Sequence, residues 1–115
     1  WLALGTAAID EAVTGVGPAA SPARTQVWPE HFDAGTSVAV GPAPDDRVNL
    51  GASAGDDFHA DPYLYVGPWG PERPGPPGYW NAPFGAVLGW ADVAGTPDPA
   101  ATAVAFLRDG LARFT

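Results

Sequence analysis

The sequence contains no cysteine and no lysine, and these two absences narrow what the chain can do. Without cysteine there is no disulfide, no thiolate metal site and no cysteine nucleophile. The chain has five basic side chains, all arginine, and 13 acidic ones, so its formal net charge is −8. Binding to nucleic acid or to an anionic membrane needs a cationic surface. We therefore predict neither a nucleic acid nor a membrane as a partner.

Methionine and long apolar runs are also absent. No apolar run reaches the roughly 18 residues that a membrane span needs. No basic segment precedes an apolar one, as it does in a signal peptide. These observations predict a cytoplasmic location. Because the chain starts at Trp1 and has no methionine, we expect it to be part of a longer protein, with its own upstream region as a partner.

The chain does contain enough apolar material for one folded domain. Of its 115 residues, 46% are hydrophobic and 11% are aromatic. Glycine and proline make up about a quarter of the sequence, which predicts long connections rich in turns. The lack of lysine, with many Ala, Gly, Pro, Asp and Val residues, is typical of a GC-rich bacterial genome.

The spacing of apolar residues predicts a helix at each end of the chain. An apolar stripe with a period of three to four residues predicts the first helix over 1–16. The composition of 17–25 predicts a linker. Near the other end, Asp98 is a good N-cap and Pro99 suits the first helical position, so a second helix is predicted to begin there.

Between the helices the apolar period changes to two, which predicts β-strands. The predicted strands are Thr36 to Val40, Arg47 to Leu50, Tyr63 to Val66 and Phe84 to Trp90. We therefore predict an α+β fold with a mainly antiparallel sheet of four to five strands, an N-terminal helix and a C-terminal helix. We expect 1–17 to be a helix of an upstream region and 26–115 to be the sheet with its C-terminal helix. Together they would form one part of a larger single domain.

Two segments combine both histidines with carboxylates and large aromatic rings. They are Trp28 to Asp33 and Gly51 to Trp69. If the fold brings them together, they line one polar pocket with aromatic walls, which suits a small molecule or a partner surface. The candidate ligand-binding residues are Trp28, Glu30, His31, Asp33, Asp57, His59, Asp61, Tyr63 and Trp80.

The same segments allow a metal site as a second interpretation. In an extended segment His31 and Asp33 point the same way, and His59 and Asp61 repeat that spacing. His31, Asp33 and His59 could hold a divalent metal with open positions. Histidines that simply bond to a carbonyl or carboxylate are the commoner explanation, so we predict no cofactor. In the second segment, Asp56 or its neighbour is expected to cap the loop by accepting bonds from local amides.

Two classes of function remain open at this point. The preferred hypothesis is a non-catalytic domain that binds a small molecule or has a structural role. The alternative is a hydrolase that uses the metal candidates just named, or a carboxyl pair formed by Glu30 with Asp57 or Asp61.

Six short motifs follow one another between residues 26 and 107. They are Trp28 to Asp33, Val48 to Asp56, Pro62 to Val66, Tyr79 to Trp80, Gly85 to Leu88 and Ala105 to Leu107. Their order resembles the C-terminal half of a bacterial family catalogued only as a domain of unknown function. The resemblance implies a sheet-rich protein roughly twice as long, and it implies no activity, cofactor or catalytic residue. Glu30 and Asn81 stand where histidine is common in that family, which weakens a histidine-based metal site here.

Overall fold

The computed structural model describes residues 1–14, 26–28 and 33–114, without the side chains of Leu2 and of 26–28. The elements are α1 (Leu2–Thr14), β1 (Gln26–Trp28), β2 (Asp33–Ala39), β3 (Arg47–Ser53), β4 (Tyr63–Pro68), a 3₁₀ turn (Pro77–Tyr79), β5 (Ala86–Gly89), α2 (Trp90–Ala94) and α3 (Pro99–Ala112). The predicted linker at 17–25 lies outside the described residues.

The five strands form one sheet in which each strand pairs with its neighbours in sequence. Every pairing is antiparallel, as short connections between successive strands favour. The predicted α+β fold with an antiparallel sheet is therefore confirmed. The predictions were least accurate at strand ends, since β3 continues to Ser53, beyond the predicted Leu50.

The last strand is shorter than the alternation of apolar residues predicts. The predicted strand ran from Phe84 to Trp90, whereas β5 covers only Ala86–Gly89. At its start, Ala82 and Gly85 exchange two backbone hydrogen bonds, of 3.0 and 3.2 Å, which makes the intervening residues a turn. At its end, Trp90 begins α2, a short helix that the sequence did not predict.

The helices α1 and α3 pack on one face of the sheet and on each other. Ile9 of α1 and Leu107 of α3 are fully buried against the apolar side chains of the strands. Those side chains are Val38, Val48, Leu50, Ala52, Leu64, Val66 and Ala86. α3 can approach closely because Gly110 faces the sheet, where a Cβ would come within 2.8 Å of a Val66 methyl group. The core therefore lies between this face and the two helices.

The predicted start of the C-terminal helix is confirmed by its capping geometry. The carboxylate of Asp98 accepts a hydrogen bond from the backbone N–H of Ala101 at 3.1 Å, and Pro99 occupies the first helical position. This bond satisfies one of the donors that a helix N-terminus leaves unpaired. Among the described residues, no helix is long and apolar enough to cross a membrane.

Candidate functional site

The face of the sheet opposite the helices carries the polar and aromatic residues of β2, β3 and β4. Antiparallel pairing places these residues in rows that run across the strands. The first row is Asp33, Ser53, Tyr63 and Gly89, and the second is Gly35, Gly51, Tyr65 and Val87. Within the described ranges, the helices contact the other face. We call this surface the helix-free face.

Tyr65 lies across the backbone of its neighbouring strand. A Cβ at Gly51 would overlap the far end of the Tyr65 ring, so the glycine is what allows the ring to lie there. The Tyr65 hydroxyl donates a hydrogen bond to Oδ2 of Asp33 at 3.4 Å. Burial, followed by the negative charge of Asp33, raises the pKa of Tyr65. The phenol therefore stays protonated. Because it reaches from β4 across β3 to Asp33 of β2, it links three strands on this face.

Beside Tyr65 the helix-free face contains a shallow depression of about 260 Å³. Its lining residues are Asp33, Asn49, Tyr63, Tyr65, Gly67, Pro68, Trp69 and Phe84. At Gly67 the depression is open, because the atoms nearest to an added Cβ would be 3.9 and 4.0 Å away. The Trp69 indole is 51% exposed and donates from Nε1 to Oδ1 of Asn49 at 2.8 Å. This hydrogen bond holds the indole as one wall of the depression.

Rings from two loops border the other side of the depression. Phe84 stands nearly perpendicular to Tyr65, with ring centroids 6.3 Å apart and an interplanar angle of 87°. Phe58 contacts Phe84 edge-on, with centroids 5.3 Å apart, and it also contacts Tyr63. Phe58 and Phe84 remain 50% and 38% exposed. The helix-free face therefore presents aromatic surface to solvent next to the depression.

The loop that carries Phe58 is organised by the carboxylate of Asp56. Its Oδ1 accepts hydrogen bonds from the backbone N–H groups of Phe58 and His59, each at 3.0 Å, as predicted for a capping aspartate. Its Oδ2 accepts a bond of 2.7 Å from the Tyr63 hydroxyl. This bond from Tyr63 is the chief reason why the pKa of Asp56 is lowered. The charged form of Asp56 therefore holds the loop against β4.

His59 lies at the opposite end of the first row from Asp33. Its ring contacts Tyr63 edge-on at 5.2 Å and lies beside Gly89, while Nδ1 is 2.8 Å from the carbonyl oxygen of Asp61. Three strand spacings, or about 14 Å, separate the two ends of the row. A metal ion holds its ligands within about 2 Å, so this separation of the backbone positions does not favour a metal ion shared by His59 and Asp33. The described residues contain no group of three or more metal-ligating side chains.

The other predicted site residues are distributed as follows. Asp57 and Asp61 are exposed in the loop between β3 and β4. Trp80 is not in the depression, because its Nε1 donates to the Pro74 carbonyl at 2.9 Å and its ring packs against Phe114 near the end of α3. Glu30, His31 and the side chain of Trp28 lie outside the described residues, although the Trp28 backbone pairs with Asp33. Of the nine candidates, Asp33 and Tyr63 both line the depression.

Six described lining residues were not among the sequence-predicted candidates. They are Asn49, Tyr65, Gly67, Pro68, Trp69 and Phe84. For Asn49 and Tyr65 a signal was present, since the alternation of β3 and β4 places them opposite the buried aliphatic residues. No family model, curated protein or solved structure matches this chain.

Alkaline titration should show that the folded protein keeps its tyrosine hydroxyls protonated at a pH where an unfolded chain would ionise them. All three tyrosines have a pKa raised above 10.0, chiefly by burial, with nearby carboxylates adding to the effect. Protonated phenols therefore stabilise the fold fully below pH 10.0, and this stability is lost as the pH rises further. We expect almost no tyrosinate absorbance in the folded protein near pH 11, where an unfolded chain would be about 90% ionised. Absorbance should then rise together with loss of the circular dichroism signal. Gradual ionisation near pH 10 without unfolding would contradict this.

Proposed function

We propose that this chain is a non-catalytic domain that binds a small molecule on the helix-free face of its sheet. The observation that carries the proposal is the open depression at Gly67, which combines four aromatic side chains with a carboxylate and an amide. Ligand sites are typically concave and mostly apolar, with a few polar groups that fix orientation. The volume of about 260 Å³ suits a single ring or a compact headgroup.

The chemistry of the depression favours binding over catalysis. A carboxylate-dependent hydrolase needs two carboxyl groups on either side of the bond to be cleaved. Among the described lining residues, Asp33 is the only acidic one. The nearby Tyr65 hydroxyl has a raised pKa, so it is a poor general base near neutral pH. The alternative hydrolase would need a second acid or base beside Asp33.

Filling the depression at Gly67 should weaken binding strongly without disturbing the fold. A Cβ at this position meets only ordinary van der Waals distances, and Gly67→Val places a strand-favouring side chain in the open space. We expect a fragment screen by NMR to shift the Trp69 indole and Gly67 amide signals in the wild-type protein. In Gly67→Val the affinity should fall at least about tenfold, the size expected from losing one buried contact surface.

A second glycine provides the matched control for this experiment. Gly78 lies in the 3₁₀ turn, where an added Cβ would have no atom within 4 Å, and it does not line the depression. Gly78→Val should therefore leave the affinity unchanged. The proposal would be wrong if ligands bound Gly67→Val as tightly as the wild type. It would also be wrong if the shifted signals belonged to the helical side of the sheet.

A further inference from the structure

Two aromatic walls of the depression stand on either side of Gly67, a residue that has no side chain. Tyr65, Gly67 and Trp69 follow each other at every second position, so they share one face and are spaced about 6.7 Å apart. The ladder continues past Pro68, because the Trp69 N–H donates to the Arg47 carbonyl at 2.9 Å. The space at Gly67 is therefore a slot between a phenol and an indole.

A third ring closes the slot toward β5. Phe84 meets Tyr65 at nearly a right angle, with centroids 6.3 Å apart. A group seated above Gly67 would therefore lie among three aromatic side chains of the lining. The face of an aromatic ring carries negative charge density and attracts cations that approach within about 6 Å of its centre. The slot has the composition of an aromatic site for a cation.

The charge of the site agrees with this ring arrangement. Asp33 contributes a carboxylate, and no arginine is found among the described lining residues. The chain as a whole carries a net charge of −8, which attracts cations and repels anions. The Trp69 ring already makes one cation–π contact. The Cζ atom of Arg47 lies 6.0 Å from the ring centroid, and Arg47 does not line the depression.

The hydrogen-bonding groups of the slot distinguish between kinds of cation. A primary ammonium needs acceptors for its three N–H donors when it leaves water. The Asn49 oxygen already accepts a bond from Trp69, and the three rings offer no strong acceptor. The Asp33 carboxylate is the one charged acceptor in the described lining, and it already accepts a bond from the Tyr65 hydroxyl, so it can serve only part of an ammonium group's three donors. A fully alkylated nitrogen has no N–H donors, so it loses little when it leaves water for an aromatic slot.

We propose that the ligand of this depression carries a quaternary ammonium group, with choline as the model compound. The inference rests on the proposed small-molecule binding function and names the chemical class of its ligand. The methyl groups contact Tyr65, Trp69 and Phe84 above Gly67. The carboxylate of Asp33, at the other end of the depression, attracts the positive charge over a longer distance.

The test compares choline with dimethylbutanol, the neutral isostere in which carbon replaces the nitrogen. NMR titration of the full chain should show choline binding at least about tenfold more tightly, which is the upper part of the range for one cation–aromatic contact. Phe84→Leu keeps an apolar side chain but removes the ring, and should weaken choline binding about threefold or more. It should change the affinity for dimethylbutanol by less.

Asp33→Asn provides a second, independent variant. It removes the charge with little change of shape, so it should weaken choline binding about twofold, as expected for a carboxylate about 10 Å away, and leave dimethylbutanol unaffected. Equal affinities for choline and dimethylbutanol would overturn the cation inference while the small-molecule function stands. The same holds if only neutral fragments shift the Gly67 and Trp69 signals. Choline binding that survives Gly67→Val would overturn both, because the ligand would then lie elsewhere.

Discussion

Gly51→Ala is expected to destabilise the wild-type protein and to stabilise a Tyr65→Ala variant. In the wild type the new methyl group overlaps the Tyr65 ring, which must leave its place across β3 and its bond to Asp33. Overpacking of this kind costs about 1–3 kcal/mol. Once the ring is absent, alanine should be better than glycine within a strand by about 0.5–1 kcal/mol. Whether Gly51→Ala stabilises or destabilises the protein therefore depends on the residue at position 65.

A double-mutant cycle by urea denaturation measures this dependence. The coupling energy between positions 51 and 65 should be at least about 1 kcal/mol, as for side chains in direct contact. Tyr65→Phe is the matched control, since it keeps the ring and removes only the bond to Asp33. Gly51→Ala should remain destabilising in that background. Equal effects of Gly51→Ala in all three backgrounds would show that the ring does not lie on this glycine.

The part of the fold that the sequence predicted is the part determined by local patterns. In β4, Leu64 and Val66 alternate with the two tyrosines, and the aliphatic pair is fully buried while the tyrosines lie on the opposite face. The cap at Asp98 is equally local, because its bond to Ala101 spans one helical turn. Such features need no knowledge of which strands are neighbours.

The candidate site depended on strand register, which the sequence alone does not determine. Both histidine-bearing segments were predicted to meet in one pocket. The register brings Asp33 of the first segment and Tyr63 to Trp69 of the second to one depression, while His59 lies beside Gly89 at the far end of the row from Asp33 and His31 lies outside the described residues. Tyr65 reaches Asp33 only because Gly51 stands opposite it on β3.

The two tryptophans of the proline-rich connection show the same limit. Trp69 ends the segment predicted to line the pocket, but of the two tryptophans only Trp80 was among the candidate ligand-binding residues. Trp69 lines the depression because it continues the direction of β4 and bonds to Asn49. Trp80 is held by the Pro74 carbonyl and by packing against Phe114. These partners are nonlocal, so composition could not distinguish the two rings.

The second large effect is expected at β5, an edge strand of the described sheet. Val87 stands opposite Tyr65, but its N–H and C=O groups bond to a side chain outside the sheet. The Val87 N–H donates to Oδ1 of Asn81 at 2.8 Å, and the Val87 carbonyl accepts from Nδ2 of Asn81 at 3.1 Å. The amide of Asn81 therefore takes the place of a peptide group from a neighbouring strand. Unpaired edges pair readily with other chains, so we infer that Asn81 blocks this edge.

Asn81→Ala should expose the edge of β5 and promote self-association. Losing two hydrogen bonds should cost about 1–3 kcal/mol of stability at low protein concentration. As the concentration rises, sedimentation velocity should show dimers or larger species that the wild type does not form at the same concentration. Extra β-structure in the infrared spectrum should accompany them.

Asn81→Asp separates the hydrogen bonds from the blocking of the edge. A carboxylate can still accept from the Val87 N–H, but it cannot donate to the Val87 carbonyl and its charge repels a second copy. We expect a stability between those of the wild type and Asn81→Ala, with no concentration-dependent association. If Asn81→Ala sediments like the wild type at every concentration, the amide does not block the edge. If Asn81→Asp associates as strongly as Asn81→Ala, the lost donor matters and the added charge does not.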